Sequence, residues 1–137
     1  MSPMPKRKRE TPLESGVKDK IKKLLEQHDW FWWNVPMNAY AAAGISDIHA
    51  VKTGMFMVIE AKRSDKHHPT VAQKGFLATI ASHDHFAFVV DGDNLHCLEQ
   101  FLGALDRATA AQRKSQQPTP EDGAMMLDCI RAMTRKY

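Results

Sequence analysis

At 137 residues, 43% hydrophobic and 26% charged, the chain has the size and composition of one globular domain with a single core. No apolar run approaches the ~18–20 residues of a membrane span, the basic N-terminal stretch lacks the apolar segment of a secretory signal, and Cys97 and Cys129 are too few for a disulfide framework and suit a reducing cytoplasm. The net charge of +3 is a weak pointer to a polyanionic partner, but its distribution says more. Lys6, Arg7, Lys8 and Arg9 form a basic arm, and Lys18, Lys20, Lys22 and Lys23 stud the segment behind it, clusters that attract phosphates without regard to sequence.

Residues 1–10 combine prolines and charges without periodicity and read as a disordered arm. Thr11-Pro12-Leu13-Glu14 reads as a capping box with proline at the first helical position. Leu13, Val17, Ile21, Leu24, Leu25 and His28 then recur at helical spacing, giving a helix over about 12–28. The aromatic run 30–36, closed by Pro36, reads as a first strand, and 37–46 as a loop ending near Gly44. Residues 47–52 and 55–62 are strand-like runs joined by Thr53-Gly54, a two-residue hairpin connection. A polar loop follows over 63–69, then a helix opening near Thr70 whose inward stripe is Ala72, Gln73, Phe76, Leu77 and Ile80. Residues 85–90 read as a strand buried on both faces. Asp91-Gly92-Asp93 turns the chain, with Asp93 the expected N-cap of a helix running to about 111. Gln112–Pro118 is a linker, and Thr119-Pro120 caps a last helix. The order αβββαβα, a hairpin beside a crossover helix, indicates an α/β domain with a mixed sheet flanked by helices. The main unit covers 11–111, with 119–137 a C-terminal helix packed on it.

The hairpin carries the chemistry. If Thr53-Gly54 is its turn, Lys52 faces Met55 and, counting back along both strands, Asp47 falls opposite Glu60. Cross-strand partners share a face, as do residues two apart on a strand, so Asp47, Glu60 and Lys62 converge. Two carboxylates so placed suit a hard divalent cation, and a neighbouring ammonium offsets charge on a phosphoryl group. The alternative is a solvated acid pair with Lys62 as its counter-ion, although like charges directly opposite are destabilising. Glu14 has two readings: it completes the capping box, or it borders the buried stripe and meets the metal site. Gln73, in the first turn of its helix and on its inward face, requires a polar partner, either strand backbone or the site itself.

Gly44-Ile45-Ser46-Asp47, Met57-Val58-Ile59-Glu60-Ala61-Lys62 and Gln73, with Glu14 upstream, resemble the PD-(D/E)XK nuclease superfamily, and most closely its small VRR-NUC branch of often phage-encoded proteins similar to Holliday junction resolvases. The resemblance covers roughly residues 11–102, and Ser46 stands where the superfamily motif has proline. It implies a restriction-endonuclease-like αβββαβ core with extra C-terminal helices. It implies Mg²⁺, or Mn²⁺ in its place, held by Asp47, Glu60, the Ala61 backbone carbonyl and, less securely, Glu14, with catalysis by Asp47, Glu60, Lys62 and Gln73. The implied activity is Mg²⁺-dependent endonucleolytic hydrolysis of DNA, with a 5′-phosphate product and branched or junction DNA as a substrate class. A homodimer in a phage- or prokaryote-encoded, cytoplasmic setting is also implied, with no organic cofactor and no membrane.

DNA contacts are expected from Lys6, Arg7, Lys8, Arg9, Arg63, His67 and His68. His67-His68 and His83-x-His85 lack the partners at the spacings structural zinc requires, and surface histidines explain them. Trp30, Phe31, Trp32 and Trp33 read as strand packing or a dimer contact before base stacking. Two other function classes remain: a non-catalytic DNA-binding module with a degenerate site, and a recombination or packaging accessory active only with a partner.

Overall fold

The computed structural model describes residues 14–35 and 44–137. The basic arm with Lys6, Arg7, Lys8 and Arg9, the Thr11 cap and most of the loop after the first strand lie outside the described residues. The elements are α1 (Glu14–Gln27), β1 (Phe31–Asn34), β2 (Ile48–Lys52), β3 (Met55–Ala61), α2 (Val71–Ser82), β4 (Phe86–Val90), α3 (Leu95–Arg113) and α4 (Pro120–Thr134). They form an α/β fold with one four-stranded sheet in the order β1-β2-β3-β4. β2 pairs antiparallel with both β1 and β3, and β4 joins β3 in parallel across the α2 crossover.

The hairpin has the register its turn dictates. Lys52 faces Met55 and Ile48 faces Ile59, and Thr53 and Gly54 both adopt positive φ, as a two-residue turn matched to strand twist requires. Alternation along β3 then divides the core. Met57, Ile59 and Ala61 meet Val17, Ile21 and Leu25 of α1, Leu98, Phe101 and Leu102 of α3, and Cys129 and Met133 of α4. Val58 turns the other way, joining Ala87 and Val89 under Leu77, Phe76 and Ile80 of α2. Both faces of β3 and β4 are thus covered, which is why their runs are continuously apolar. Truncating a fully buried side chain such as Ile59 to alanine costs about 2–5 kcal/mol.

Two local expectations change. The N-cap of α3 is Asn94, not Asp93. Asp91 Oδ1 accepts the N–H groups of Asp93 and Asn94, Asn94 turns its side chain back onto Asp91 N–H and the Val89 carbonyl, and the Asp93 carboxylate is taken by the Asp65 N–H. Tertiary partners outbid the local cap. Ala72 is exposed rather than part of the inward stripe of α2, because its neighbour there is the Gly44 backbone approach and not the sheet. The last helix expected after the linker is α4, Pro120–Thr134. Its cap is as expected: Thr119 accepts from the Asp122 N–H with Pro120 in the first turn.

The aromatic run is divided by strand alternation. Trp30 is buried in the core, and Trp32 packs toward α1, donating to Glu26 at 3.1 Å beneath the Lys22 ammonium. Phe31 and Trp33 stay exposed on the opposite face. No helix among the described residues is long and apolar enough to cross a membrane.

Candidate metal and phosphate site

One end of the sheet gathers four chain segments. β3 runs into it and ends on Glu60, Ala61 and then Lys62, residues 44–47 enter it before β2, and α1 and α2 both begin there. Gly44 makes this possible, with φ at +86° and its α-carbon so close to α2 that an added Cβ would lie 2.4 Å from the Ala72 carbonyl carbon. Only glycine tolerates both the left-handed backbone and that approach. The next residues, including buried Ser46, carry Asp47 to the sheet end.

Asp47 Oδ2 accepts the Ala61 N–H at 3.0 Å, which holds the aspartate beside the end of β3, one step past the paired strands. The N–H and C=O of a strand residue share an edge. The Ala61 carbonyl therefore points to the Asp47 side, away from β4. Glu60, on the α2 face, is 1% exposed. Its Oε1 accepts from Gln73 Nε2 at 2.9 Å and lies 3.4 Å from Lys62 Nζ, while Oε2 is buried with no hydrogen-bond partner among the described residues. Of the two partners posed for Gln73, the structure gives it the site and not strand backbone, and adds a bond within its own helix cap. Its Oε1 accepts the Thr70 N–H at 2.8 Å, closing a capping box with Thr70, and its amide nitrogen is thereby left to face Glu60.

Glu14, at the start of α1, completes the group. Glu14, Asp47 and Glu60 each offer a carboxylate oxygen, and these atoms all lie within 4.8 Å of one another. Burial, then the Asp47 charge, pushes the Glu60 carboxyl up to about 7, with the Lys62 ammonium opposing. Among the described residues two cations stand against the cluster: Lys62, and Lys18, whose Nζ is 3.4 Å from Asp47 Oδ1. The donor set suits a hard divalent cation. Carboxylate oxygens converge, one buried oxygen is unpartnered, and magnesium retains several waters and so requires few protein ligands.

Beside the carboxylates lies a cleft of about 580 Å³ lined by Glu14, Lys62, Arg63, Lys66, His67 and His68. Arg63, His67 and His68, expected to meet DNA, are therefore brought to the site. His67 Nδ1 also pairs with Ser64 Oγ at 2.9 Å. His83 and His85 are exposed, and His85 packs edge-on against Phe56.

Lys18 and Lys66 are the side chains that spacing arguments passed over. Lys18 follows Glu14 by four residues, which places both on one face of α1. That signal was present but gained meaning only once α1 was docked against Asp47. The fold and site thus define an α/β domain with a three-carboxylate, two-lysine cluster at a sheet end. No protein-family model, no curated protein and no solved structure matches the chain.

Proposed function

We propose that the protein is a Mg²⁺-dependent endodeoxyribonuclease with a restriction-endonuclease-like αβββαβ core, acting on DNA as a homodimer, with branched or junction DNA as a candidate substrate. The observation that carries this reading is the convergence of Glu14, Asp47 and Glu60 within 4.8 Å beside Lys62 and a basic cleft. Asp47, Glu60, the Ala61 carbonyl and Glu14 would hold the cation, and Mn²⁺ would substitute for Mg²⁺. When bound, the cation supplies Lewis acidity, making a water more acidic and offsetting phosphoryl charge.

The chain's own residues do the rest. Gln73 fixes the orientation of the Glu60 carboxylate. Lys62, 15% exposed at the cleft wall, orients the attacking water and offsets charge that develops on the phosphoryl oxygens. Arg63, Lys66, His67 and His68 face the phosphates on either side. The water oxygen bonds to phosphorus in line as the 3′-oxygen leaves, so the product carries a 5′-phosphate.

The test is incubation with linear, flap and four-way DNA in Mg²⁺, Mn²⁺ or chelator, comparing wild type with Asp47→Ala, Glu60→Ala and Lys62→Ala. Cleavage that requires metal and is abolished by Asp47→Ala or Glu60→Ala supports the reading. Lys62→Ala should lose on the order of 10²–10³-fold in single-turnover rate at saturating Mg²⁺.

One observation favours a second reading, a non-catalytic DNA-binding module. Lys18 and Lys62 already balance much of the cluster's charge, as they would in a structural ion network. Metal-independent DNA binding without cleavage of any of the three substrates would establish that reading instead.

A further inference from the structure

The chain leaving α4 brings an ammonium to the loop beside the site. Lys136 Nζ donates to the Asp65 carbonyl at 2.6 Å and the His67 carbonyl at 3.3 Å, and stands 3.5 Å from Asp91 Oδ2. Its side chain is 9% exposed and that of Asp91 fully buried. Two of its donors are spent on the carbonyls, and Asp91 Oδ2, which has no hydrogen-bond partner among the described residues, is met by its charge as an ion pair. Asp91 has no other cation within bonding distance among the described residues, and its Oδ1 is committed to the turn before α3. Tyr137 anchors the same stretch by donating its hydroxyl to the Ala87 carbonyl of β4.

The loop that Lys136 grips is fixed at its ends by buried Ser64 and Pro69 and is exposed between them. Asp65, Lys66, His67 and His68 are all exposed, so no apolar packing positions their backbone. The remaining ties are polar: Ser64 with His67, Lys66 N–H on Ser64 Oγ, His67 N–H on the Ser64 carbonyl and Gly92 N–H on the Arg63 carbonyl, and Asp65 N–H on Asp93. Yet this loop supplies one wall of the 580 Å³ cleft.

We propose that Lys136 is a positioning residue, a latch from the appended helix that holds the 63–68 loop so that Arg63, Lys66 and His68 face a phosphate of nucleic acid entering the cleft. The proposal rests on the phosphate-handling reading of the site. Lys136 touches no carboxylate of the Glu14–Asp47–Glu60 cluster, so its influence falls on binding of the polyanion and not on metal capture.

Lys136→Met alone strands the buried Asp91 carboxylate, so the decisive protein is the double variant Asp91→Asn with Lys136→Met, which removes both charges. Two measurements are made on the folded full chain. Native-state trypsin cleavage after Arg63 and Lys66 is compared with cleavage after Lys20 and Lys23 in α1. Affinity for a DNA duplex in chelator is then measured, with KM, kcat and Mg²⁺-induced thermal shift in parallel. The expected result is faster nicking at Arg63 and Lys66 only, and DNA affinity and KM weaker by about tenfold, the loss of one or two charge-assisted phosphate contacts. The rate at saturating DNA and the Mg²⁺ shift should stay near wild type, and Lys136→Arg should restore affinity. Unchanged nicking overturns the latch, as does nicking raised equally in α1, or raised nicking with wild-type DNA affinity. A fall in kcat with KM unchanged also overturns it. If wild type itself binds no DNA, the proposed function fails, and with it the phosphate role of the loop; the nicking comparison still reads the latch separately.

Discussion

Lys18 Nζ lies 3.4 Å from Asp47 Oδ1, one helical turn after Glu14 on the same face of α1. The helix that contributes a carboxylate to the cluster also contributes a cation to it, so α1 is docked at the site by charge as well as by Val17 and Ile21. A divalent cation held by Asp47, as the proposed function requires, would have to compete with this ammonium.

Lys18→Met should therefore bind Mg²⁺ more tightly while losing stability in chelator. At a separation of 4 Å a partly exposed charge pair is worth between about 1 and 4 kcal/mol, so even the lower end corresponds to roughly a fivefold gain in metal affinity. Calorimetric titration with Mg²⁺ and Mn²⁺, with thermal melts in EDTA, reads both effects. Unchanged metal affinity would place the metal elsewhere.

Metal-free stability should fall as pH rises across the range set by Glu60. Its carboxyl is raised from 4.5 when free to about 7 in the fold, so between those values the native state binds the extra proton. The contribution is fully present below about 4.5 and is lost as pH climbs through about 7, by proton linkage. Mg²⁺ favours the ionised form, so its stabilising shift should grow over the same range. Thermal melts of wild type and Glu60→Gln, with and without Mg²⁺, isolate the effect as the difference between the two proteins. Parallel curves would exclude Glu60 as its source.

Gln73 joins a helix cap to the site, and two substitutions separate the roles. Gln73→Ala loses its half of the capping box and the bond to Glu60, so stability should drop by about 1 kcal/mol and cleavage should slow. Gln73→Glu keeps an acceptor for the Thr70 N–H but faces Glu60 with another acid. Its stability deficit should shrink in Mg²⁺, and it should need more Mg²⁺ for half-maximal rate. Identical behaviour of both variants would mean that the Glu60 contact is inconsequential.

Gly44→Ala should destabilise the protein by at least the roughly 1–2 kcal/mol of a left-handed non-glycine residue, beyond which the new Cβ presses on the Ala72 carbonyl. Because the displaced segment leads directly to Asp47, metal affinity should fall as well. Chemical denaturation and metal titration of one preparation test this, and wild-type values in both would show that the 44–47 segment relaxes freely.

Much of the candidate site was legible in the order of residues because its central pair is local. A two-residue turn and strict strand alternation leave the hairpin one register, and that register puts Asp47 beside the end of β3, next to Glu60, with Lys62 two residues further on the same face. Helical spacing likewise placed Gln73 in the first, inward turn of α2. Tertiary structure decided what spacing leaves open. Whether Glu14 caps a helix or meets the carboxylates depends on how α1 docks, and the same docking turns Lys18 from one of several surface lysines into the partner of Asp47. Asp93 had the sequence of an N-cap, yet the fold gave its carboxylate to Asp65 and the cap to Asn94, because contacts between distant segments outweighed one local bond. The burial that drives the Glu60 carboxyl up to about 7, and the reach of Lys136 across to Asp65 and Asp91, likewise exist only after packing. Periodicity reports which residues share a face, and only the packed chain determines which faces meet.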